Sequence, residues 1–369
     1  MRAIVTGATG FVGGHVTRLL AERGDEVVAT YRNPERLPRL RSLDVRTAKA
    51  DILDRGALRR AMRGADLVFH TAGYVGSRPA ERVWRLNALA PRLVVEAAAA
   101  EGVTRVVVTS SVAALGPAPP GEQSAEDDVY RGGPLGLVYG DAKHEGEAEA
   151  FAAGARLGVE VVAVNPSYVL GVPVDRSQAG ETSTRTVGNY LLGRLPAVVD
   201  GGTNIVDVRD VATGHLLAAA RGKPGQRYVL GGRDMSWVEV IDRIAELSGV
   251  HRPLVVLPAE AAALARAQAA LRLPGPIAPE GIQLMAQNWR VSSRKAQRDL
   301  RYRSRPVDET IEATVEWYRE LIDRGMFAGQ ATTALSLASA GLGTARRLGL
   351  VRGLRIAERY AGRRLVAGA

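Results

Sequence analysis

The 369-residue chain contains no cysteine. Disulfides and thiolate metal sites are therefore excluded, and a reducing compartment suits the composition. No run of 18 apolar residues occurs, so nothing reads as a membrane span. Strand-forming residues begin at Ala3, which leaves no room for a signal peptide, and a cytoplasmic protein is expected. The five histidines, at 15, 70, 144, 215 and 251, lack metal-ligand spacing, and no metal is expected. A net charge of +10 invites thoughts of nucleic acid, but the basic residues are scattered and no aromatic-basic interleaving marks a groove. No nucleic-acid partner is expected. What is present is bulk: 46% hydrophobic residues support one large core, or a main core with a smaller lobe.

The most informative segment is the first. Ile4-Val5-Thr6 runs into Gly7-Ala8-Thr9-Gly10-Phe11-Val12-Gly13 and then into an amphipathic stretch. Gly7 permits a tight turn, Gly10 lets backbone N–H groups approach a pyrophosphate, and Gly13 lets helix pack on strand, with the positive end of the helix toward the phosphates. Such a glycine pattern arises by chance in a chain with 41 glycines. Its place between a strand and a helix at the N-terminus makes it a dinucleotide cradle.

Strand-like runs near 2 to 6, 26 to 31, 44 to 49, 66 to 70, 105 to 109 and 159 to 165 alternate with helical segments at 12 to 23, 54 to 63, 81 to 101 and 138 to 157. That alternation predicts an α/β fold: a doubly wound parallel sheet, with residues 1–165 as the dinucleotide-binding core. From 166 to 327 the alternation fails, and a smaller C-terminal substrate-binding lobe is expected, with about 203–231 returning to the core. Pro117, Pro119 and Pro120 open a long loop at the carboxyl end of a strand, where open sheets bind ligands.

The second strand ends in Ala29-Thr30-Tyr31-Arg32, without the carboxylate that holds the ribose 2′-hydroxyl of NAD. Arg32, helped by Arg36, suits the 2′-phosphate of NADP(H). NADP(H) is therefore the expected coenzyme and NAD(H) the alternative; Arg32 reads equally as a solvated loop residue. Asp51, before Ile52, is placed either to accept from the adenine amino group or to cap a helix.

Tyr139 and Lys143 stand four apart on one helical face, so an ammonium beside the phenol is expected to lower its pKa. Such a phenol exchanges a proton with a carbonyl oxygen as hydride arrives at carbon. Thr109-Ser110-Ser111 ends the preceding strand and supplies a hydroxyl for the same oxygen.

With these elements together, the chain resembles the extended short-chain dehydrogenase/reductase family, within the NAD-dependent epimerase/dehydratase superfamily. The resemblance is carried by Thr6 to Gly13, Asp51-Ile52, His70-Thr71-Ala72-Gly73, Asn87, Thr109-Ser110-Ser111, Tyr139 with Lys143, and Asn165-Pro166-Ser167-Tyr168-Val169-Leu170-Gly171. It implies that Ser111 is the catalytic serine, Tyr139 the acid/base, Lys143 its partner and a ligand of the nicotinamide ribose, and Asn87 the residue that holds the active-site helix and a water relay. It also implies that Thr71, Ala72, Gly73, Thr109, Asn165, Pro166 and Val169 line the coenzyme, and that the protein is a homodimer through the helices holding Asn87 and Tyr139.

Asn204 to His215 and Tyr228 to Gly232 resemble the branch of dihydroflavonol-type reductases and hopanoid-associated enzymes labelled sugar epimerases. Sugar-nucleotide epimerases of this family carry an arginine just ahead of the segment equivalent to Ile205-Val206-Asp207; Thr203 and Asn204 stand there instead, and Arg185, Arg194 and Arg209 are only loose substitutes for a diphosphate partner. The expected function is NADP(H)-dependent reduction of a ketone or aldehyde of a lipophilic molecule, or oxidation of the alcohol. A nucleotide-sugar epimerase or dehydratase is the alternative, and a non-catalytic nucleotide sensor or scaffold a lesser one. Leu115, Tyr168, Tyr190, Leu192, Leu271, Leu273, Ile277, Ile282, Met285 and Trp289 are candidate pocket walls, though each reads equally as core. Beyond Phe327, Arg346, Arg347, Arg352, Arg355, Arg359, Arg363 and Arg364 interleave with Leu348, Leu350, Leu354, Leu365 and Val366. Such a basic amphipathic helix over 344–369 suits peripheral contact with an anionic membrane, packing on the body being the alternative.

Overall fold

The computed structural model describes residues 1–178, 183–195, 197–263, 267, 279–329, 358 and 361–368. In chain order the first half comprises β1 (Arg2–Thr6), α1 (Phe11–Glu22), β2 (Glu26–Tyr31), β3 (Arg46–Lys49), α2 (Arg55–Met62), β4 (Leu67–His70), α3 (Ala80–Trp84), a π turn (Arg85–Leu89), α4 (Ala90–Ala100), β5 (Arg105–Thr109), α5 (Val138–Leu157) and β6 (Glu160–Pro166). Six of these strands and β10 (Arg227–Leu230) form one sheet in the order β10-β6-β5-β4-β1-β2-β3, and every pairing is parallel. The inner strands are apolar because both faces are covered, whereas the edge strand β3, Arg-Thr-Ala-Lys, is largely exposed. Ile4, Val68 and Val106 meet Leu93 and Val94 on one face, while Val5, Phe69 and Val107 meet Val16 and Leu20 on the other. The order reverses between β1 and β4, and their carboxyl ends form the crevice where such sheets bind ligands.

The second half adds β7 (Tyr168–Leu170), α6 (Arg185–Leu191), β8 (Val198–Val199) and β9 (Gly202–Asp207), and β9 pairs with both β7 and β11 (Arg233–Ser236) in a separate three-stranded sheet. β9 serves two cores: Ile205 points into the lobe with Trp237 and Ile241, and Val206 into the main core. The helix α7 (Val208–Arg221) is capped by Asp207, whose carboxylate accepts from Arg209 N at 2.8 Å and pairs with its guanidinium. Arg305 forks onto Asp210 at 2.8 and 3.0 Å. Both aspartates are thus structural.

The chain end departs from expectation. Val366–Ala367 forms a strand antiparallel to Leu254–Leu257 of the lobe, with both residues buried, and Gly368 N donates to Asp242 Oδ1 at 2.6 Å. Val366 therefore packs from a strand rather than from an amphipathic helix, because the edge N–H and C=O groups of the lobe strand need partners. The remainder of the expected helix lies outside the described residues, apart from residues 358 and 361–365. No helix among the described residues is long and apolar enough to cross a membrane.

The free edge of β10 is capped by the long loop, where the nearly buried Glu126 accepts from Val229 N at 2.8 Å. Burial holds this carboxyl above the usual carboxylate range, against the pull of the backbone N–H and Lys295. The unfolded chain then ionises first as pH rises past about 4.5, so stability falls until the raised folded value is passed. Glu126→Gln keeps the acceptor and removes the charge. It is expected to melt at or above the wild-type temperature at pH 8, with the advantage vanishing near pH 4; a lower melting temperature at pH 8 would show that the ionised form is stabilised in the fold.

Candidate active site

The glycine turn is a cradle without spare room. Gly7 has φ +72°, and a Cβ there would lie 2.7 Å from Ala72 N; one on Gly13 would lie 2.2 Å from Gly7 O and 2.4 Å from Thr71 Oγ1. Thr71 itself donates to Thr6 O at 2.6 Å, tying β4 to β1 across the crevice. Gly10 caps α1 with no side-chain bond, leaving the first-turn N–H groups of Phe11, Val12 and Gly13 without a side-chain acceptor. An uncapped helix start behind a turn that excludes side chains fits a dinucleotide pyrophosphate. The expected residues Gly7, Thr9, Gly10, Phe11, Val12, Gly13, Thr71, Ala72 and Gly73 thus converge on the crevice.

One basic residue in this region was not legible. Arg39 donates to Thr9 O at 3.1 Å and lines a pocket with Thr9, Gly10, Phe11, Asp175 and Gln178. Its signal was the spacing of Arg36 and Arg39, which a 3₁₀ turn over Pro34–Leu40 places three apart on one edge. Arg32 and Arg36 are exposed beside the end of β2. Asp51 accepts from Leu53 N at 2.9 Å and is not the helix cap; Asp54 fills that place, accepting from Ala57 N. Ile52 is core, against Val28 and Leu58.

The second cluster sits on α5. The Ser111 hydroxyl stands beside the Tyr139 phenol and favours its ionised form. One turn further on, Lys143 Nζ donates to Thr109 O at 2.9 Å. Asn87 lies in the π turn, where its amide donates to Tyr74 O at 2.8 Å and accepts from Tyr74 N at 3.1 Å. A Cβ on Gly73 would be 2.9 Å from Asn87 Oδ1 and 3.3 Å from Lys143 Nζ, so these side chains meet around one glycine. Irregular π turns often mark such sites. Gly146 brings α5 against this turn: its Cβ would lie 1.8 Å from the Asn87 carbonyl.

Burial pushes the Tyr139 phenol up to about 12, and the opposing pull comes from Ser111. The lowering expected from Lys143 is not found, because its Nζ is turned to the Thr109 carbonyl and burial brings its own pKa down to about 8 against the field of Glu147. Thr109 presents only its carbonyl toward α5. His215 Nδ1 faces the Val211 carbonyl at 2.7 Å and so carries the proton, leaving Nε2 to accept from Thr109 Oγ1 at 2.7 Å. Ser110 is buried, and Ser111 is the serine that meets Tyr139.

Asn165 is fully buried and bonds inward, to the Ser111 carbonyl at 3.0 Å and to Glu147 at 2.9 Å. Pro166 ends β6, and Val169 on β7 packs against the main core. His144 is half-buried rather than a surface residue: it donates to Ala114 O at 3.0 Å and stacks on Tyr130 at 4.1 Å, pinning the long loop to α5. Among the candidate pocket walls, Leu115 and Tyr190 are core, and Tyr168 packs edge-on to Trp237 at 4.9 Å. Leu271, Leu273 and Ile277 lie outside the described residues.

The position expected to hold an arginine in sugar-nucleotide epimerases is closed. Asn204 Oδ1 accepts from Ser167 Oγ at 2.7 Å and from Gly232 N at 2.8 Å, while Nδ2 donates to Asp234 Oδ1 at 2.6 Å. The loose substitutes are also engaged: Arg209 by Asp207, Arg185 over the Phe327 ring at 5.1 Å, and Arg194 by the Ala328 carbonyl.

Comparison with known proteins accords with this geometry. Residues 3–231 match the NAD dependent epimerase/dehydratase family. A putative dihydroflavonol 4-reductase of Synechocystis is 32% identical over 329 residues, spanning 85% of this chain and 94% of that protein. Sterol demethylase protein B of Methylococcus capsulatus is 31% identical over 339 residues, spanning 88% of this chain and all of the relative. Among solved structures, a nucleoside-diphosphate-sugar epimerase from Pseudomonas aeruginosa superposes with a TM-score of 0.72 at 28% identity, covering 89% of this chain and 99% of that one. A doubly wound parallel sheet with a glycine cradle at its switch point, matched across 3–231, places the chain in the NAD-dependent epimerase/dehydratase family of extended short-chain dehydrogenases/reductases, enzymes that work with NAD(P).

Proposed function

We propose that this protein is an NADP(H)-dependent carbonyl reductase acting on a lipophilic ketone or aldehyde, and the observation that carries this reading is the Ser111 hydroxyl set beside the Tyr139 phenol at the carboxyl end of β5. When bound, NADPH supplies the hydride that adds to the carbonyl carbon. Tyr139 donates its hydroxyl proton to the carbonyl oxygen, and the Ser111 hydroxyl bonds that same oxygen and orients it. A phenol held near 12 keeps its proton at neutral pH, which suits a donor and hence the reductive direction. Lys143, one turn along α5 from Tyr139, holds the nicotinamide ribose. Gly7, Gly10 and Gly13 hold the pyrophosphate, and Arg32 reads the 2′-phosphate.

Two features favour a reductase over a sugar-nucleotide enzyme. The Asn204 side chain is engaged through both its oxygen and its nitrogen, and the carboxylate of Asp234 beside it repels a diphosphate. Exposed apolar side chains, Val75 and Val129, stand on the loops that leave the carboxyl ends of β4 and β5 and suit an apolar substrate. The name of one relative, a putative dihydroflavonol 4-reductase, supports the reductase reading, and that of the other, sterol demethylase protein B, supports a lipophilic substrate.

The test mixes purified protein with NADPH or NADH and a panel of polycyclic and aryl ketones and aldehydes, and follows loss of the reduced coenzyme. NADPH consumption is expected; copurifying NAD with interconversion of a sugar nucleotide would move the assignment to an epimerase. Arg32→Ala is expected to raise the Kd for NADPH about tenfold, the scale of one charge-assisted bond, and to leave NADH unchanged. Arg39→Ala, which loosens the phosphate turn, is expected to weaken both. Equal effects of Arg32→Ala on the two coenzymes would remove the 2′-phosphate assignment.

A further inference from the structure

The mechanism above leaves the buried acid of α5 unused. Glu147 follows Lys143 by one turn of α5, on the face that packs against the sheet, and is 3% exposed. A carboxylate so placed needs partners. It has two: Arg227 Nε on β10 reaches Oε1 at 3.1 Å, and Asn165 Nδ2 on β6 donates to Oε2 at 2.9 Å. The same amide nitrogen donates to the Ser111 carbonyl at 3.0 Å. Two acceptors that cannot donate force the nitrogen of Asn165 toward Glu147 and Ser111 and turn its oxygen away. That oxygen and the Ser110 hydroxyl are buried without a protein partner.

We propose that Glu147 is a positioning residue: its carboxylate clamps the Asn165 amide against the Ser111 backbone and sets a negative charge beneath Lys143, so that one buried group governs both partners of Tyr139. The proposal rests on the roles given above to Ser111, Tyr139 and Lys143. The groups facing Lys143 are Tyr139 and Glu147 on its own helix, His70 on β4, Asn87 in the π turn and the Thr109 carbonyl of β5. His70 is neutral, since burial and the nearby Lys143 bring it down to about 3. Asn87 and the carbonyl carry no net charge, so Glu147 supplies the field that opposes burial and keeps the ammonium charged. Arg227 tempers that field by pairing with Glu147.

NADPH binding to the full chain, followed by nicotinamide fluorescence between pH 6 and 10, tests this without requiring the substrate. Wild-type affinity is expected to fall as pH rises through about 8, where Lys143 loses its proton. In Glu147→Gln the midpoint should move to lower pH by about half a unit to one unit, weakening binding at pH 8 by about two- to fivefold. In Arg227→Gln the untempered carboxylate should move the midpoint to higher pH. A merely structural role cannot shift the two variants in opposite directions. An unmoved midpoint in a Glu147→Gln protein whose melting curve shows it folded, or shifts of one sign in both variants, would overturn the proposal; were Glu147→Gln not to fold, an unmoved Arg227→Gln midpoint would do so. Tyr139→Phe separates the two levels, because its retained turnover would sink the mechanism, whereas the binding midpoints report on Glu147 and Lys143 alone.

Discussion

Tyr139→Phe is expected to lower turnover by about 100- to 10,000-fold, the usual contribution of a positioned general acid, with NADPH binding within about twofold of wild type. The phenylalanine ring fills the same space on α5 and removes only the oxygen that meets Ser111. Nothing in the glycine cradle touches that oxygen, so the coenzyme site should be intact. The pH dependence gives a second reading. Because the phenol stays protonated to about 12, the acid-to-neutral range of the reductive rate should be flat, and the fall should begin near 8 as Lys143 loses its charge. The oxidative direction needs the phenolate and should instead rise steadily with pH. Near-normal turnover in the phenylalanine variant would mean that another group delivers the proton.

Gly146→Ala is expected to be the most damaging exchange of a single hydrogen for a methyl. The new carbon would lie 1.8 Å from the Asn87 carbonyl, a backbone atom of the π turn that cannot rotate out of the way. Helix α5 must then move off the turn by more than an ångström. Overpacking of this kind costs about 1–3 kcal/mol, read as a lowered denaturation midpoint with an unchanged slope. The movement also separates Lys143 and Tyr139 from Asn87 and Gly73, so turnover should fall by more than stability alone explains, since misplacement by about 1 Å can cost 100-fold. A variant that melts and turns over like wild type would show that α5 and the π turn slide freely.

How far the chain was legible depended on range. The helix over 138–157, the strands at 2 to 6, 26 to 31 and 105 to 109, and the glycine turn were readable because their signals are local: periodicity, a capping glycine, an apolar run. Tyr139 and Lys143 were readable from their spacing on one helix and the Thr109-Ser110-Ser111 cluster from its place at a strand end, while the choice of Ser111 within it came from the family resemblance. Arg39 and Glu147 were not, because each acts on a residue brought near only by folding: Thr9 is 30 positions from Arg39, and Asn165 is 18 from Glu147. Glu147 sits in a run of alternating glutamates that reads as a solvated face, and only helix docking separates it, nearly buried, from exposed Glu145.

The sequence by itself determined the fold class, the glycine turn between β1 and α1 and the placing of Tyr139 and Lys143 one turn apart on a helix, since each follows from backbone sterics and from residues within a turn or two of one another. Tertiary structure alone decided which charges are felt at the site. It turned Lys143 to the Thr109 carbonyl, let burial raise rather than lower the Tyr139 phenol, closed the Asn204 position with Asp234, and laid Val366 against the lobe as a strand. The physical reason is that desolvation and electrostatic fields depend on what packs around a group, and that is a property of the folded chain.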